Sequence, residues 1–156
     1  MPLPLPLPSR RLPDSARTYW AVSAGLSAIV PLIAAIALGV AAGGVFAWLL
    51  PLVVLAGALV AVFVLPGIRH RRWRYEVRDE EIDIQHGTFV IRRTLVPIRR
   101  VQHVDTETSL LQTFFDLATV TFHTAAGATE IPALKRAEAE RVRSRVAELA
   151  RTRDDV

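Results

Sequence analysis

Few residues of this chain have types and spacings that could do chemistry. It carries four histidines, fifteen acidic residues and nineteen basic ones, and no cysteine. The missing cysteine excludes disulfide frameworks, Cys-ligated zinc and thiolate nucleophiles. His103 and Asp105 stand two apart, a spacing that puts both on one face of a strand, and His123 falls in a second strand-like segment. Three such groups could converge on a metal. Against that reading, two-residue spacing is ordinary in strands, and His70 and His86 have no evident sequence partner. No Gly-x-Ser-x-Gly, phosphate-binding glycine loop or His-Glu-x-x-His is present. The sequence therefore reads as non-enzymatic, with no cofactor and no metal. The other concentration of charge is Arg69, Arg71, Arg72 and Arg74. These arginines either fix the topology of an adjoining membrane helix or attract anionic headgroups, at about 1 kcal/mol per basic residue near a lipid surface.

The element that must position those arginines is a run of 51 residues, 18–68, without a single Asp, Glu, Lys or Arg. As one helix it would extend about 76 Å, whereas a bilayer core about 30 Å thick takes roughly 20 residues. Two crossings are expected, at residues 19–40 and 45–65, turning at Ala41-Ala42-Gly43-Gly44 and ending at Pro66-Gly67. A cleavable signal is a poorer fit, because its apolar stretch is about 7–15 residues long. Arg10, Arg11 and Arg17 precede the run, four arginines follow it, and the turn is uncharged. The positive-inside bias puts both flanks, and so both termini, in the cytoplasm. Tyr19, Trp20 and Trp73 mark the inner boundary and Trp48 the outer one. Pro31 and Pro51 read as tolerated kinks, and Gly25, Ser27, Gly39 and Gly57 permit close helix packing. Spans without an ionisable residue do not suit an ion-coupled transporter.

Before the run, alternating Pro and Leu over residues 2–8 favour an extended polyproline tail. After it the periodicity changes from helical to alternating. Strands are expected from Trp73 to Val77, around Ile82 and Ile84, from Phe89 to Val96, and from Arg100 to Thr106 with a bulge where Val101 and Val104 fall out of phase. The pairs Leu110/Phe114 and Leu111/Phe115 predict a short helix capped by Thr108 or Ser109. A strand follows with Ala118, Val120 and Phe122 inward, then a short one at residues 129–131 that Pro132 ends. Leu134, Val142, Val146 and Leu149 trace the narrow apolar stripe of a terminal helix, expected to pack on the sheet. A domain of about 80 residues has a thin core, and its open strand edges favour association.

Several stretches carry a resemblance: Arg74-Tyr75-Glu76-Val77; residues 79–87, Asp-Glu-Glu-Ile-Asp-Ile-Gln-His-Gly; and residues 94–105, with Pro97, Arg100, Gln102, His103 and Val104 the most specific. Leu110-Leu111-Gln112, residues 115–120 and residues 130–134 complete it. Together they resemble the bacterial pleckstrin-homology domain of the YdbS-like membrane-flanked family. Asp116 stands where that pattern carries glycine. The resemblance implies a two-helix transmembrane hairpin followed by a small pleckstrin-homology-like β-sandwich with a C-terminal capping helix. It also implies a partner, a larger membrane protein with several copies of the domain or a second copy of the chain, and a loose link to envelope stress and antimicrobial resistance. The expected organisation is a Pro-rich cytoplasmic tail (1–18), the hairpin (19–68) and a cytoplasmic head (69–156), in the inner membrane. The expected function is protein–protein assembly, with anionic-lipid sensing by Arg69, Arg71, Arg72 and Arg74 as the alternative. An acidic tip at Asp79-Glu80-Glu81 argues against inositide recognition, and the sheet offers no aromatic stripe for nucleic acid.

Overall fold

A computed structural model describes residues 7–154, with side chains to residue 151; the Pro-rich stretch at residues 2–6 lies outside it. The chain opens with a two-residue strand, β1 (Arg10–Arg11), and enters α1 (Asp14–Ala42), five residues earlier than the hydropathy pattern suggests. Gly43 and Gly44 make the expected turn, with φ of 69° and 56°, values that glycine adopts without the Cβ penalty other residues meet. The return helix begins as α2 (Phe46–Leu59), widens over a π-turn (Val60–Val64) and continues as α3 (Leu65–Arg72). Pro66 therefore does not end it. Proline lacks an N–H and crowds the carbonyl four residues back; the ladder absorbs this by widening, so that the Leu65 N–H donates to the Val60 carbonyl. Both helices are long and apolar enough to cross a membrane, and almost none of their apolar surface is buried within the chain. They approach closely at Gly39, where a Cβ would lie 2.7 Å from the Phe46 carbonyl oxygen.

The head is a pair of antiparallel sheets. β1, β2 (Arg74–Val77), β3 (Glu81–His86) and β4 (Arg92–Pro97) form one; β5 (Val101–Glu107), β6 (Leu117–Thr124) and β7 (Gly127–Lys135) form the other. A 3-10 turn at Ile98–Arg100 crosses between them, and the expected bulge sits between Val101 and His103. Ser109 caps α4 (Leu110–Phe114) in a reciprocal capping box with Gln112. Asp116 follows at φ 54°, the left-handed conformation for which glycine is the natural residue.

Three expectations change here. β7 runs through Pro132 to Lys135, because a register shift opposite Thr119 takes proline out of the ladder, with Ala133 at φ 53°. Phe89 does not start a strand: Thr88 to Val90 form a bend before β4, and the protein leaves Phe89, Val90 and Ile91 uncovered. Residues 8–16 are not a loose tail either. Arg10 and Arg11 pair with Tyr75 and Arg74, and Pro8, Leu12 and Ala16 are buried. The hairpin is thus inserted between the first and second strands of a single sheet. A helical apolar face (Leu12, Ala16, Tyr19, Trp20) with Asp14 and Arg17 on the other side is the sequence signal for this docking.

The core joins both sheets. Tyr75, Ile82, Ile84, Val96 and Ile98 meet Leu117, Val120, Phe122, Ile131 and Leu134. The terminal helix α5 (Arg136–Asp154) closes it with Ala139, Val142 and Val146, lying on the sheets as its stripe predicts. Asp83, read as a solvent-facing alternate residue, is fully buried. Arg93 grips it with two bonds of 2.9 and 2.6 Å, and Arg78 approaches to 3.4 Å. A buried carboxylate persists only when paired and hydrogen-bonded in this way.

Candidate functional site

The helix–sheet junction carries the arginines singled out from the sequence, with His70 and His86. The last turn of α3 carries Arg69, His70, Arg71 and Arg72 and stops at Trp73, whose backbone turns extended. Arg69 and Arg72 are three apart and share a helix face. The Arg69 guanidinium sits 4.2 Å above the Trp20 ring, a cation–π contact. Arg72 donates to the Thr88 carbonyl, tying the bend between β3 and β4 to the helix. Arg71 points elsewhere, its Nε donating to the Gly67 carbonyl at 3.3 Å, and Arg74 lies in β2 opposite Arg11 and Gln85. The four arginines therefore do not converge on one pocket. One of them, Arg69, borders a cleft of about 500 Å³ beside the hairpin, together with Trp73, His86, Arg92 and Glu130.

His70 and His86 both have partners. His70 Nε2 lies 3.0 and 3.2 Å from the Leu12 and Pro13 carbonyls, fastening the N-terminal segment to α3. His86 stacks on Trp73 with ring centroids 5.3 Å apart. The same segment is held by Ser9, which donates to Glu76 at 2.9 Å, and by an Arg10–Glu138 ion pair. Hydrogen bonds from Arg78 and Ser9 hold the Glu76 carboxyl below its usual range. Burial, with the Glu138 charge adding to it, pushes the Tyr75 hydroxyl up to about 12.

His103, Asp105 and His123 do come together on the outer face of β5 and β6. His103 and His123 are directly opposite each other, and their Nε2 atoms lie 2.6 and 3.2 Å from the two oxygens of Asp105. That arrangement uses both carboxylate oxygens within the trio. The three side chains are open to solvent. Among the described residues no His, Asp or Glu group has metal-binding geometry.

The motif residues serve the crossing between sheets. Pro97 ends β4 opposite Glu81, Ile98 is fully buried, and Arg100 is exposed on the 3-10 turn. Gln102, His103 and Val104 line one wall of an open groove of about 770 Å³, whose other wall is Arg143, Val146 and Ala147 of α5. β5 is hydrogen-bonded to β6 on one side, and its other edge borders this groove.

Two antiparallel sheets closed by a C-terminal helix, carried on a pair of apolar helices, define a membrane-associated pleckstrin-homology-like protein. The chain belongs to the bacterial PH domain family, whose model matches residues 19–150 and so begins after β1. It is 52% identical over 101 residues to UPF0699 transmembrane protein YdbS of Bacillus subtilis (strain 168), and the match covers 65% of this chain and 64% of that protein. It is 35% identical over 83 residues to UPF0699 transmembrane protein YdbT of the same organism, covering 51% of this chain and 17% of that one. The chain thus spans under two thirds of the first relative and a small part of the second. A crystal structure of a DUF1696 family protein with a pleckstrin-homology domain, from Shewanella loihica PV-4, is similar at 15% identity and a TM-score of 0.42, over 53% of this chain and 74% of that one. These families are not known enzymes, and nothing in the described residues gives positive evidence of catalysis.

Proposed function

We propose that this chain is a multi-pass protein of the cytoplasmic membrane whose head docks onto a pleckstrin-homology-like domain of a partner, either a larger transmembrane relative or a second copy of itself. The two helices cross as a hairpin, and the head and both termini lie on the cytoplasmic side. The arginines on both flanks and the uncharged Gly43-Gly44 turn support that orientation.

The observation that carries the docking is the free edge of β5 beside its groove. An unpaired strand edge is a template for strand addition, and the partly exposed Val101, Val104, Ala147 and Ala150 supply apolar contacts next to it. Leu110 and Phe114, on α4 after the end of β5, are each 87% exposed and offer further apolar contact surface. A short match within a much longer transmembrane relative supports a partner of the same family. The test is co-purification in mild detergent of two differently tagged copies of the full chain, and of the chain co-expressed with that larger relative. One pairing is recovered, and Val104→Lys with Phe114→Asp lowers the recovery at least about tenfold, the equivalent of 1.4 kcal/mol. Monomers alone in both experiments contradict the proposal.

A second reading, anionic-lipid sensing, is favoured by one observation, the cleft with Arg69 and Arg92 on its walls. Its signature is phosphatidylglycerol retained on the purified protein and lost in Arg69→Gln/Arg92→Gln. Equal retention by wild type and variant removes this reading.

A further inference from the structure

We infer that the bend between β3 and β4, Phe89-Val90-Ile91, is a lipid-immersed foot that rests the head against the bilayer. The three side chains are consecutive, large and apolar, and 85%, 68% and 56% exposed. A contiguous apolar projection from an otherwise folded head calls for a partner surface, and its position identifies that surface. Thr88, the residue next to the tip, lines one cleft with Trp20, Ser23, Ser27, Ala61 and Leu65. All five belong to the uncharged run of the hairpin. Ala61 lies eight residues before Arg69, about 12 Å further along the helix at 1.5 Å per residue. The same cleft includes Arg69, and Arg72 bonds the Thr88 carbonyl, so the bend stands beside the helices where their apolar run meets its basic boundary.

The hydrogen bond from Arg72 to the Thr88 carbonyl holds the bend there. Gly87 permits the approach: its φ is 136°, and a Cβ would meet the Val90 carbonyl oxygen at 1.8 Å. The charges nearest the tip in sequence are Arg92 and Arg93, and no acidic residue lies between Asp83 and Asp105. Arg93 is turned to Asp83, while Arg92 and Arg69 border the cleft beside the tip together with Glu130; an apolar tip bordered by arginines is complementary to an anionic headgroup layer over acyl chains. The tip thus gives the head a contact with the bilayer separate from the hairpin itself.

The inference rests on the two helices being membrane spans, and the test separates the two claims. The natural chain has no cysteine, so single cysteines can be labelled cleanly in the full-length protein. Val90→Cys, Phe89→Cys, Val53→Cys in the second helix and Asp79→Cys at the acidic tip are each labelled with an environment-sensitive fluorophore. The labelled proteins are reconstituted in vesicles of phosphatidylethanolamine and phosphatidylglycerol. Labels at 89 and 90 emit blue-shifted light and are quenched by nitroxides on the acyl chains, as the label at 53 is, while the label at 79 is not quenched. If 53 is quenched and both 89 and 90 behave like 79, the foot is disproved and the spans stand. If 53 itself behaves as a water-exposed site, the span reading falls and the foot with it.

Discussion

The two ends of β3 show opposite chemistries on one strand of six residues. At its start the turn Asp79-Glu80-Glu81 is acidic and is drawn toward α5, with Arg145 donating to Asp79 at 2.9 Å. At its end the bend is apolar, bordered by arginines, and held to α3 by Arg72. The head therefore has a polarity: one end closed by a charged helix, the other set against the hairpin. This difference bears on the pleckstrin-homology comparison, because the acidic tip that argues against phosphate recognition is at the end remote from the apolar helices. The proposed headgroup contact is at the other end, around Arg69 and Arg92.

The strongest way to break this picture is at the hairpin end. Leu12 is 3% exposed, in the segment that joins β1 to α1. Leu12→Ala should cost about 2–5 kcal/mol, the range for deleting a buried leucine, read as a large fall in thermal midpoint in detergent. A free tail would give no change. A smaller loss is expected midway along β3. Asp83→Asn removes the charge that Arg93 and Arg78 face, and should lower the melting temperature by several degrees while leaving Asp79→Asn, at the solvent end of the Arg145 pair, near wild type. Equal effects of the two substitutions would show that burial of Asp83 does not matter. The smallest change has the opposite sign. Asp116→Gly relieves a left-handed aspartate at φ 54° and should stabilise the head by about 1 kcal/mol. A loss instead would mean that the contact of Asp116 with Arg136 outweighs the backbone strain.

How legible all this is in sequence depends on which forces act locally. The hairpin, its glycine turn, the α4 cap, the β5 bulge and the packing of α5 follow from periodicity and caps, which neighbouring residues decide. The docking of residues 8–16 does not, because β1 gains its partner from β2 across the whole hairpin, 65 residues away for Arg10 and Tyr75 on subtraction of their numbers. Asp83 looks like a surface position in an alternating strand until Arg93 and Arg78 cover it. Phe89 and Ile91 alternate as a strand would, yet Gly87 at positive φ turns the chain there and leaves them outside the sheet. His103, Asp105 and His123, which strand spacing allows to converge, do come together, with both imidazoles on the Asp105 carboxylate.

The central claim is that both apolar helices cross the membrane and leave an intact head, made from both sides of the hairpin in sequence, on the cytoplasmic face. Fusing green fluorescent protein and alkaline phosphatase in turn to each terminus of the full chain tests it directly. The account predicts fluorescence and no phosphatase activity at both ends; phosphatase activity at either end contradicts it.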